Sequence, residues 1–241
     1  MEFEGIVIKT TPFRDQDAMV SILSPNKIYS VLARGVLKID SKNAHRVSPF
    51  TLSRFNVMKT KEGYSLKNGE LINSFQNTKS KIECLAIIDF ISETLNKIIV
   101  PDDSKKMFVY LKKALELLDS GFDPWTILLI YLAKLLTVSG FPLNVNSCQI
   151  CHQRSQIVGV SYRGGGFICE NCFDAFNHVK YTQRELKILR YIFLVEENDF
   201  DRVAFEKKEC YRIFTDLCTF LTGVTQSDYK SVNLITELLS K

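Results

Sequence analysis

Histidine is scarce in this chain of 241 residues, which argues against acid–base catalysis. The three histidines, His45, His152 and His178, lie far apart in the sequence. Zinc deaminases place H-x-E ahead of P-C-x-x-C, but His45 is followed by Arg46-Val47. The sequence also lacks the phosphate-cradling P-loop and the G-x-S-x-G elbow. These absences predict a protein that is not an enzyme.

Long apolar runs and an export signal are missing as well. The most apolar segment, Trp125 to Ser139, contains Lys134 and is too short for a membrane span, but it is typical of a buried helix. The N-terminus MEFEGIVIKT has no cationic region followed by an apolar one. We therefore expect a cytoplasmic protein with reduced thiols. Internal repeats and low-complexity tracts are also absent.

Cysteine, in contrast, forms a pattern that predicts a metal site. Cys148 and Cys151 have C-x2-C spacing, as do Cys169 and Cys172, and seventeen residues separate the two pairs. Two such turns can place four thiolates in a tetrahedron around one Zn²⁺. Because four protein ligands leave no coordination position for water or substrate, the predicted zinc is structural, with one ion per chain.

Other interpretations of these cysteines account for less of the pattern. Disulfides need an oxidising compartment, and a thioredoxin-like motif explains only one pair. Cys148 to His152 matches the c-type haem motif C-x-x-C-H, which leaves the second pair unexplained. The turn Gly164–Gly166 leads into that pair and favours zinc, with His152 as a solvent-facing neighbour. The other thiols lie among apolar residues and are expected to be small buried hydrophobes: Cys84, Cys210 and Cys218.

Alternation of apolar residues and turn signals predict five strands in the first third of the chain. The predicted strands are Phe3–Lys9, Ala18–Leu23, Ile28–Ala33, Phe50–Lys59 and Tyr64–Leu71. Five short strands separated by Gly and Pro residues indicate a small barrel. The OB-fold is the commonest five-stranded solution, and an SH3-like barrel is the alternative. We predict that this barrel domain covers residues 1–79.

From Ser80 onward the apolar period is helical. The first predicted helix ends at Pro101 and has an apolar face of Ile82, Leu85, Ile88, Ile91, Leu95 and Ile98. A second helix contains Phe108, Leu111, Leu115 and Leu118 and stops at Gly121. The fold class is therefore α+β and multidomain: an OB-fold barrel, then an all-α domain over residues 80–241 with an inserted four-cysteine zinc module at about 141–181.

Capping residues define the later helices. Asp123 and Pro124 suit the start of a third helix, and Gly140 suits its end. Thr182 and Glu185 have the spacing of a capping box. The last three helices are expected over roughly 183–195, 206–222 and 229–240.

Positive charge is concentrated in the predicted barrel. Residues 1–80 hold 12 Lys or Arg and 7 Asp or Glu, a net +5, whereas the remaining residues hold 19 and 20, a net −1. This asymmetry predicts an anionic partner for the barrel. Four cations recur at every fourth position of the β3–β4 connection and could follow a phosphodiester backbone: Arg34, Lys38, Lys42 and Arg46.

Together these features define a predicted DNA surface on the barrel. Its proposed cations are Arg14, Lys27, Arg34, Lys38, Lys42, Arg46 and Lys59. Its candidate base-stacking aromatics are Phe13, Tyr29, Phe55 and Tyr64. The alternative interpretation is a solvated basic loop with aromatics in the core.

The order of several segments resembles the RecO family of bacterial DNA repair proteins. The resemblance spans the whole chain and is specific in order and spacing. Its segments are Gly5–Phe13, Asp17–Val20, Val31–Gly35, Pro49–Leu52, Cys148–Cys151, Gly165–Cys172 and Tyr229–Ser231.

This resemblance implies an OB-fold, a helical domain, a structural zinc module and a non-enzymatic function. That function is to bind single- and double-stranded DNA, to anneal complementary strands and to assist recombinase loading in the RecF pathway of recombinational repair. The implied partners are RecR and the acidic C-terminal tail of single-strand-binding protein, in a nucleoid-associated location. The alternative is a zinc-stabilised adaptor with incidental DNA contact. Basic helix residues could edge a tail-binding groove: Lys112, Lys113, Lys134, Lys187 and Arg190.

Overall fold

The computed structural model describes residues 1–98 and 104–240, which form two compact units that divide after Gly121. The strands are β1 Glu2–Phe13, β2 Asp17–Leu23, β3 Ile28–Ala33, β4 Leu52–Thr60, β5 Gly63–Asn73, β6 Ile157–Ser161, β7 Gly166–Cys169 and β8 Val179–Lys180. The helices are α1 Ile82–Ile98, α2 Ser104–Asp119, α3 Pro124–Val138, α4 Gln183–Leu194, α5 Lys207–Thr225 and α6 Ser231–Ser240.

The first five strands close into a barrel in the order β1-β2-β3-β5-β4. All neighbouring pairs are antiparallel except β3 and β5, where Val31 pairs with Tyr64 in parallel register. Inward side chains such as Val7, Val20, Val31 and Phe55 form one buried core. This order is OB-like, which confirms the predicted five-stranded barrel and displaces the SH3-like alternative.

Strand β1 is buried on both faces over Gly5–Ile8. Val7 belongs to the barrel core, while Ile6 and Ile8, which alternate with it and point outward, have no exposed surface. Helices α1 and α2 contact β1, and the Ser92 hydroxyl of α1 donates to the Ile8 carbonyl at 2.7 Å. The helix pair therefore covers the apolar outer face of β1.

The buried face of α1 differs from the predicted one at its N-terminal end. Ile82 and Leu85 are 54% and 43% exposed, so their predicted burial is wrong. The first buried positions are Cys84, Ala86 and Ile87, because the helix turns this side toward the barrel. The predicted end at Pro101 lies outside the described residues.

Helices α1 and α2 fall in the same compact unit as the barrel. The proposed domain change at residues 79 and 80 follows the change from strand to helical periodicity and stays a prediction. Helix α2 is followed by Gly121, which has a φ of 90°, as its predicted role in stopping the helix requires.

Helix α3 is the centre of the second unit. It is buried on every side from Trp125 to Leu136, as expected for a helix that is apolar all round, and α4 and α5 pack against it. The Asp123 carboxylate accepts from the Thr126 amide at 2.7 Å, and Gly140, with φ 88°, follows its C-terminus. Both predicted ends are confirmed. None of the helices in the described residues is long and apolar enough to cross a membrane.

Candidate metal centre and nucleic-acid interface

Four thiols meet at one point of the second unit. The Sγ atoms of Cys148, Cys151, Cys169 and Cys172 all lie within 4.8 Å of one another, and those of Cys151 and Cys169 are 3.5 Å apart. Cys148 and Cys169 are fully buried, Cys172 is half-buried and Cys151 is exposed. All four residues predicted from spacing are therefore brought together.

Turns and a short hairpin position these thiols. The first pair lies in a turn in which the His152 amide donates to the Cys148 carbonyl at 2.9 Å. Strand β7 ends at Cys169, and a 3-10 turn carries the chain to Cys172. The first turn is bonded to strand β7, since the Gln149 amide donates to the Phe167 carbonyl at 2.7 Å.

A glycine is required where the hairpin passes the preceding segment. A Cβ on Gly166 would lie 2.6 Å from the Asn144 carbonyl oxygen, closer than real Cβ contacts. That oxygen accepts from the Phe167 amide at 2.9 Å. Gly166 thus permits the backbone contact that brings the second cysteine pair beneath the first.

The thiols themselves are electrostatically uneven. Burial opposes ionisation of Cys148, but hydrogen bonds from the backbone of Cys151, Cys169 and Ile150 lower its pKa to about 6. Hydrogen bonding with Cys151, together with burial, raises the pKa of Cys172 to about 12. Burial also raises the pKa of Cys169. Cys148 therefore favours the thiolate while Cys169 and Cys172 favour the thiol, and binding of a divalent cation would displace the protons of these two.

This arrangement could hold a metal ion and is compatible with zinc. Sulfurs of a tetrahedral zinc centre are roughly 3.8 Å apart when Zn–S bonds are about 2.3 Å long. The observed sulfurs, with one separation of 3.5 Å and none above 4.8 Å, are compatible with this spacing. Within residues 1–98 and 104–240, no other group of three or more His, Cys, Asp or Glu side chains is placed to bind a metal. His152 is exposed and outside the cluster, as expected.

The metal-site module is bound to the helices that follow it. The Gln183 amide group donates to the Ile157 carbonyl at 2.9 Å, and the Arg190 guanidinium donates to the Val145 carbonyl at 2.6 Å. On α5, Arg212 donates to the Lys180 carbonyl at 2.6 Å, and Asp216 accepts from the Tyr181 hydroxyl. These hydrogen bonds hold the cysteine-containing module against α4 and α5.

The barrel carries a cleft of about 620 Å³ on its outer surface. It is formed by β2, β3 and β5 together with the ends of the β1–β2 and β4–β5 turns, the region where OB-folds bind oligonucleotides. We call it the β2–β3 cleft. Its lining residues are Phe13, Met19, Ile28, Tyr29, Ser30, Leu32, Arg34, Thr60, Lys61, Glu62, Gly63, Tyr64 and Ser65.

Three of the predicted cations lie in or beside the β2–β3 cleft. Arg34 lines it. The Lys27 ammonium lies 3.2 Å from the Tyr64 hydroxyl and 5.0 Å from the Tyr64 ring centroid. The Arg14 guanidinium lies 5.1 Å from the ring centroid of Phe13. These pairs place cationic and aromatic groups together.

The remaining predicted cations are dispersed. Lys38, Lys42 and Lys59 are exposed. The Arg46 guanidinium donates to the Lys42 carbonyl at 2.5 Å and to the Asn43 side chain at 2.9 Å. It lines a separate shallow cleft with Arg54, Glu2 and Glu70. The structure therefore does not gather Arg34 and Arg46 into one cleft.

The candidate stacking aromatics divide in the same way. Phe13 is 40% exposed and Tyr64 is half-buried, so both can offer a ring surface. Phe55 belongs to the barrel core and has no exposed surface, so its selection as a stacking platform is wrong. Tyr29 is 5% exposed and its ring stacks on Phe3, but it lines the β2–β3 cleft, so its selection stays a prediction. Lys61 was missed, although its place beside the Glu62-Gly63 turn is the signal that could identify it.

Lys134 does not edge a groove. It is 4% exposed, and its ammonium donates to the Phe193 carbonyl at 3.0 Å, near the end of α4. Lys112 and Lys113 lie on α2 of the first unit. Lys187 and Arg190 lie on α4 and line a cleft of about 400 Å³, which we call the α4 cleft. Its other lining residues are Tyr191, Leu194, Val195, Glu196, Asp199 and Arg202.

These features define a class of protein: an OB-like barrel followed by a helical unit with a four-thiol cluster that could hold a metal ion. The family model described as "Recombination protein O N terminal" matches residues 1–75, and "Recombination protein O C terminal" matches residues 79–232. The chain therefore belongs to the recombination protein O family, which confirms the resemblance seen in its sequence.

Individual relatives agree with the family models. A protein from Caldanaerobacter subterraneus subsp. tengcongensis named DNA repair protein RecO is 22% identical over 246 residues, covering 99% of this chain and 98% of the relative. A Bacillus cytotoxicus protein of the same name is 35% identical over 171 residues, covering 69% and 68%. A Thermoanaerobacter relative is 23% identical over 249 residues, covering 99% and 98%.

Proposed function

We propose that this chain is a DNA repair protein that binds single- and double-stranded DNA and anneals complementary strands. It would also assist the loading of recombinase in the RecF pathway, without an enzymatic step of its own. Family membership supports the role in repair, since the relatives are named DNA repair protein RecO. The β2–β3 cleft is the structural observation that carries the proposal for DNA.

The chemistry of the β2–β3 cleft suits a nucleic-acid strand. Phe13 and Tyr64 offer ring surfaces for bases, and stacking on an aromatic side chain stabilises a bound base by about 1–3 kcal/mol. Arg34 and Lys61 line the same cleft and could contact phosphates. Because these interactions are available to every sequence, we propose binding with little sequence preference.

The four-thiol site is proposed to bind one structural Zn²⁺. Cys148, Cys151, Cys169 and Cys172 would hold the ion, and its contribution would be to stabilise the fold of the module. A closed set of four thiolates offers no position for a substrate, which agrees with a protein that acts by binding.

Protein partners are proposed for the helical unit. The tail of single-strand-binding protein is acidic and apolar at its C-terminus. Such a peptide would suit the α4 cleft, where Lys187 and Arg190 adjoin Tyr191 and Leu194. RecR is proposed as a second partner, and a cytoplasmic, nucleoid-associated location follows from the proposed work on DNA.

An annealing assay tests the proposal directly. Two complementary oligonucleotides carrying a fluorescent donor and acceptor are mixed with and without the full chain, at several salt concentrations and without nucleotide. We expect faster annealing, with acceleration that falls as salt rises because binding to phosphates releases counterions. Annealing at the unassisted rate at every salt concentration would contradict the proposal.

Paired variants test which surface carries the DNA. Replacing Arg34 and Lys61 by Ala should flatten the slope of log affinity against log salt by roughly 0.7–0.9 for each phosphate that is no longer neutralised. Arg46→Ala is the control, because Arg46 is bonded to its own connection and lies away from the β2–β3 cleft. A larger change for Arg46→Ala than for the double variant would place the DNA path elsewhere.

A further inference from the structure

The β3–β4 connection presents an apolar tip to solvent. The Ile39 side chain is fully exposed, at 108% of its reference surface, and Leu37 is 45% exposed. Exposed aliphatic surface of this kind is unfavourable in water. A loop that holds an Ile in this position therefore suggests that the side chain contacts a binding partner.

The connection that carries this tip is anchored at both ends. Val36 and Val47 are buried in the barrel core, at 2% and 3% exposure. The Gly35 amide donates to the Asp17 carboxylate at 2.7 Å, and the Leu37 amide donates to the Gln16 carbonyl at 3.0 Å. The second bond ties the connection to the β1–β2 turn, beside Phe13 of the β2–β3 cleft.

Successive turns hold the tip between these anchors. The Ser41 amide donates to the Lys38 carbonyl at 3.1 Å, and the Ala44 amide donates to the Ser41 carbonyl at 3.2 Å. Ile39 lies inside the first of these turns and is presented by a bonded backbone. Binding would therefore require little further ordering of the connection.

The charges around the tip favour a polyanion over an apolar protein pocket. Lys38 precedes Ile39, Lys42 follows it, and Arg34 starts the connection, while Asp40 is the one acid between Arg34 and Arg46. Both lysines are exposed. Phosphates on either side of a base step could meet these cations while the apolar side chain enters the stack.

We propose that Ile39, backed by Leu37, is an apolar wedge that inserts between neighbouring bases of DNA bound to the barrel. Aliphatic side chains can enter a base step and unstack it, and the new protein–DNA interactions offset the loss of stacking. The inference rests on the proposed DNA binding and extends it, since unstacked bases would be held open for pairing with an incoming strand.

Base unstacking can be measured with 2-aminopurine, whose fluorescence rises when it leaves the stack. The probe is a duplex with a single-stranded overhang, carrying 2-aminopurine at successive positions near the junction. Full-length protein should raise the fluorescence at one or two positions. Ile39→Ala should lose about half of that rise or more, while the affinity, set mainly by phosphates, changes by roughly threefold at most with the same salt slope.

Ile72→Ala is the matched control. Ile72 is an exposed isoleucine of the same barrel, at 43% exposure, but its neighbours are Leu71 and Asn73 and not cations. This variant should behave as wild type in both assays. A thermal unfolding midpoint equal to that of the wild type in both variants would show that neither substitution disturbs the fold.

The outcomes separate this inference from the proposed function. Wild-type protein that binds no DNA would overturn both. Wild-type protein that binds DNA without a 2-aminopurine response, or an Ile39→Ala variant with the full response, would overturn the wedge alone. The wedge would also be overturned if Ile39→Ala lost binding to a protein partner but kept the full 2-aminopurine response. The tip would then be a protein-binding surface.

Discussion

Lys134 shows how a single charge is accommodated inside an apolar helix. Its ammonium is surrounded by the second unit and donates to the Phe193 carbonyl at 3.0 Å, near the C-terminus of α4, where helix carbonyls lack intrahelical partners and favour a cation. Burial lowers the pKa of this side chain from 10.5, and Glu196 and Glu197 oppose the shift. The lysine is therefore retained at an electrostatic cost.

That cost has a defined pH dependence. The pKa of Lys134 is lower in the folded chain than in the unfolded chain. At pH values between these two pKa values the unfolded chain therefore binds more protons, and the free energy of unfolding rises with pH. Urea denaturation should show the stability of wild type rising relative to Lys134→Met as pH approaches 10.5, the ordinary lysine value. Lys187→Met, at an exposed position of α4, is the control and should follow wild type.

Each metal-site cysteine should be necessary for the bound ion. Purified protein is expected to contain one zinc per chain by elemental analysis, and Cys→Ser at 148, 151, 169 or 172 should release it. Amide hydrogen exchange should then rise mainly in residues 141–181, because the bound metal would order this module. Cys84→Ala removes a buried thiol outside the cluster and should keep the zinc. Wild-type protein without zinc would disprove the assignment.

Residue-level prediction succeeded where chemistry alone selects the residue. The spacing of four cysteines identified the cluster because thiolates around zinc need two tight turns and little else. The aromatics were harder, since Phe13 and Phe55 have the same chemistry, yet Phe13 is 40% exposed and Phe55 is fully buried. Which side of a strand faces the core depends on register, and register is set by the whole barrel.

At the scale of elements, α3 depends on the cap at its N-terminus. The Asp123 carboxylate satisfies the Thr126 amide, which has no intrahelical partner. Asp123→Ala should therefore destabilise the protein by about 1 kcal/mol, measured by urea denaturation. Asp123→Asn keeps an acceptor oxygen and should cost less. An equal loss in both variants would show that the charge, and not the cap, stabilises the helix.

Helix boundaries were predictable because their signals are local. Asp123, Gly140 and the Thr182 capping box occupy the predicted places. The burial of α1 was less predictable. Periodicity alone selected Ile82 and Leu85 for the apolar face, yet both are exposed, because the side of α1 that is buried is chosen by its packing on β1. Long-range packing of this kind leaves no signal in a short window of sequence.

For the whole molecule, the grouping of α1 and α2 with the barrel has a thermodynamic consequence. A fragment ending at Gly121 should unfold cooperatively, whereas one ending at residue 79 would expose Ile6 and Ile8. Each of these side chains contributes about 1.5–3 kcal/mol when fully buried. Thermal unfolding of the two fragments measures the difference, and Thr at both positions should improve the solubility of the shorter one. Equal stability of the two fragments would contradict this account.

The two-sided burial of β1 also sets an order of events during synthesis. The barrel strands are complete once Asn73 has been made, but the cover over Ile6 and Ile8 is complete only with Asp119. At roughly 5–20 residues per second, translation of the intervening segment takes about 2–9 s. During those seconds the nascent barrel exposes the apolar outer face of its first strand. A ribosome-associated chaperone could bind this face only in that interval.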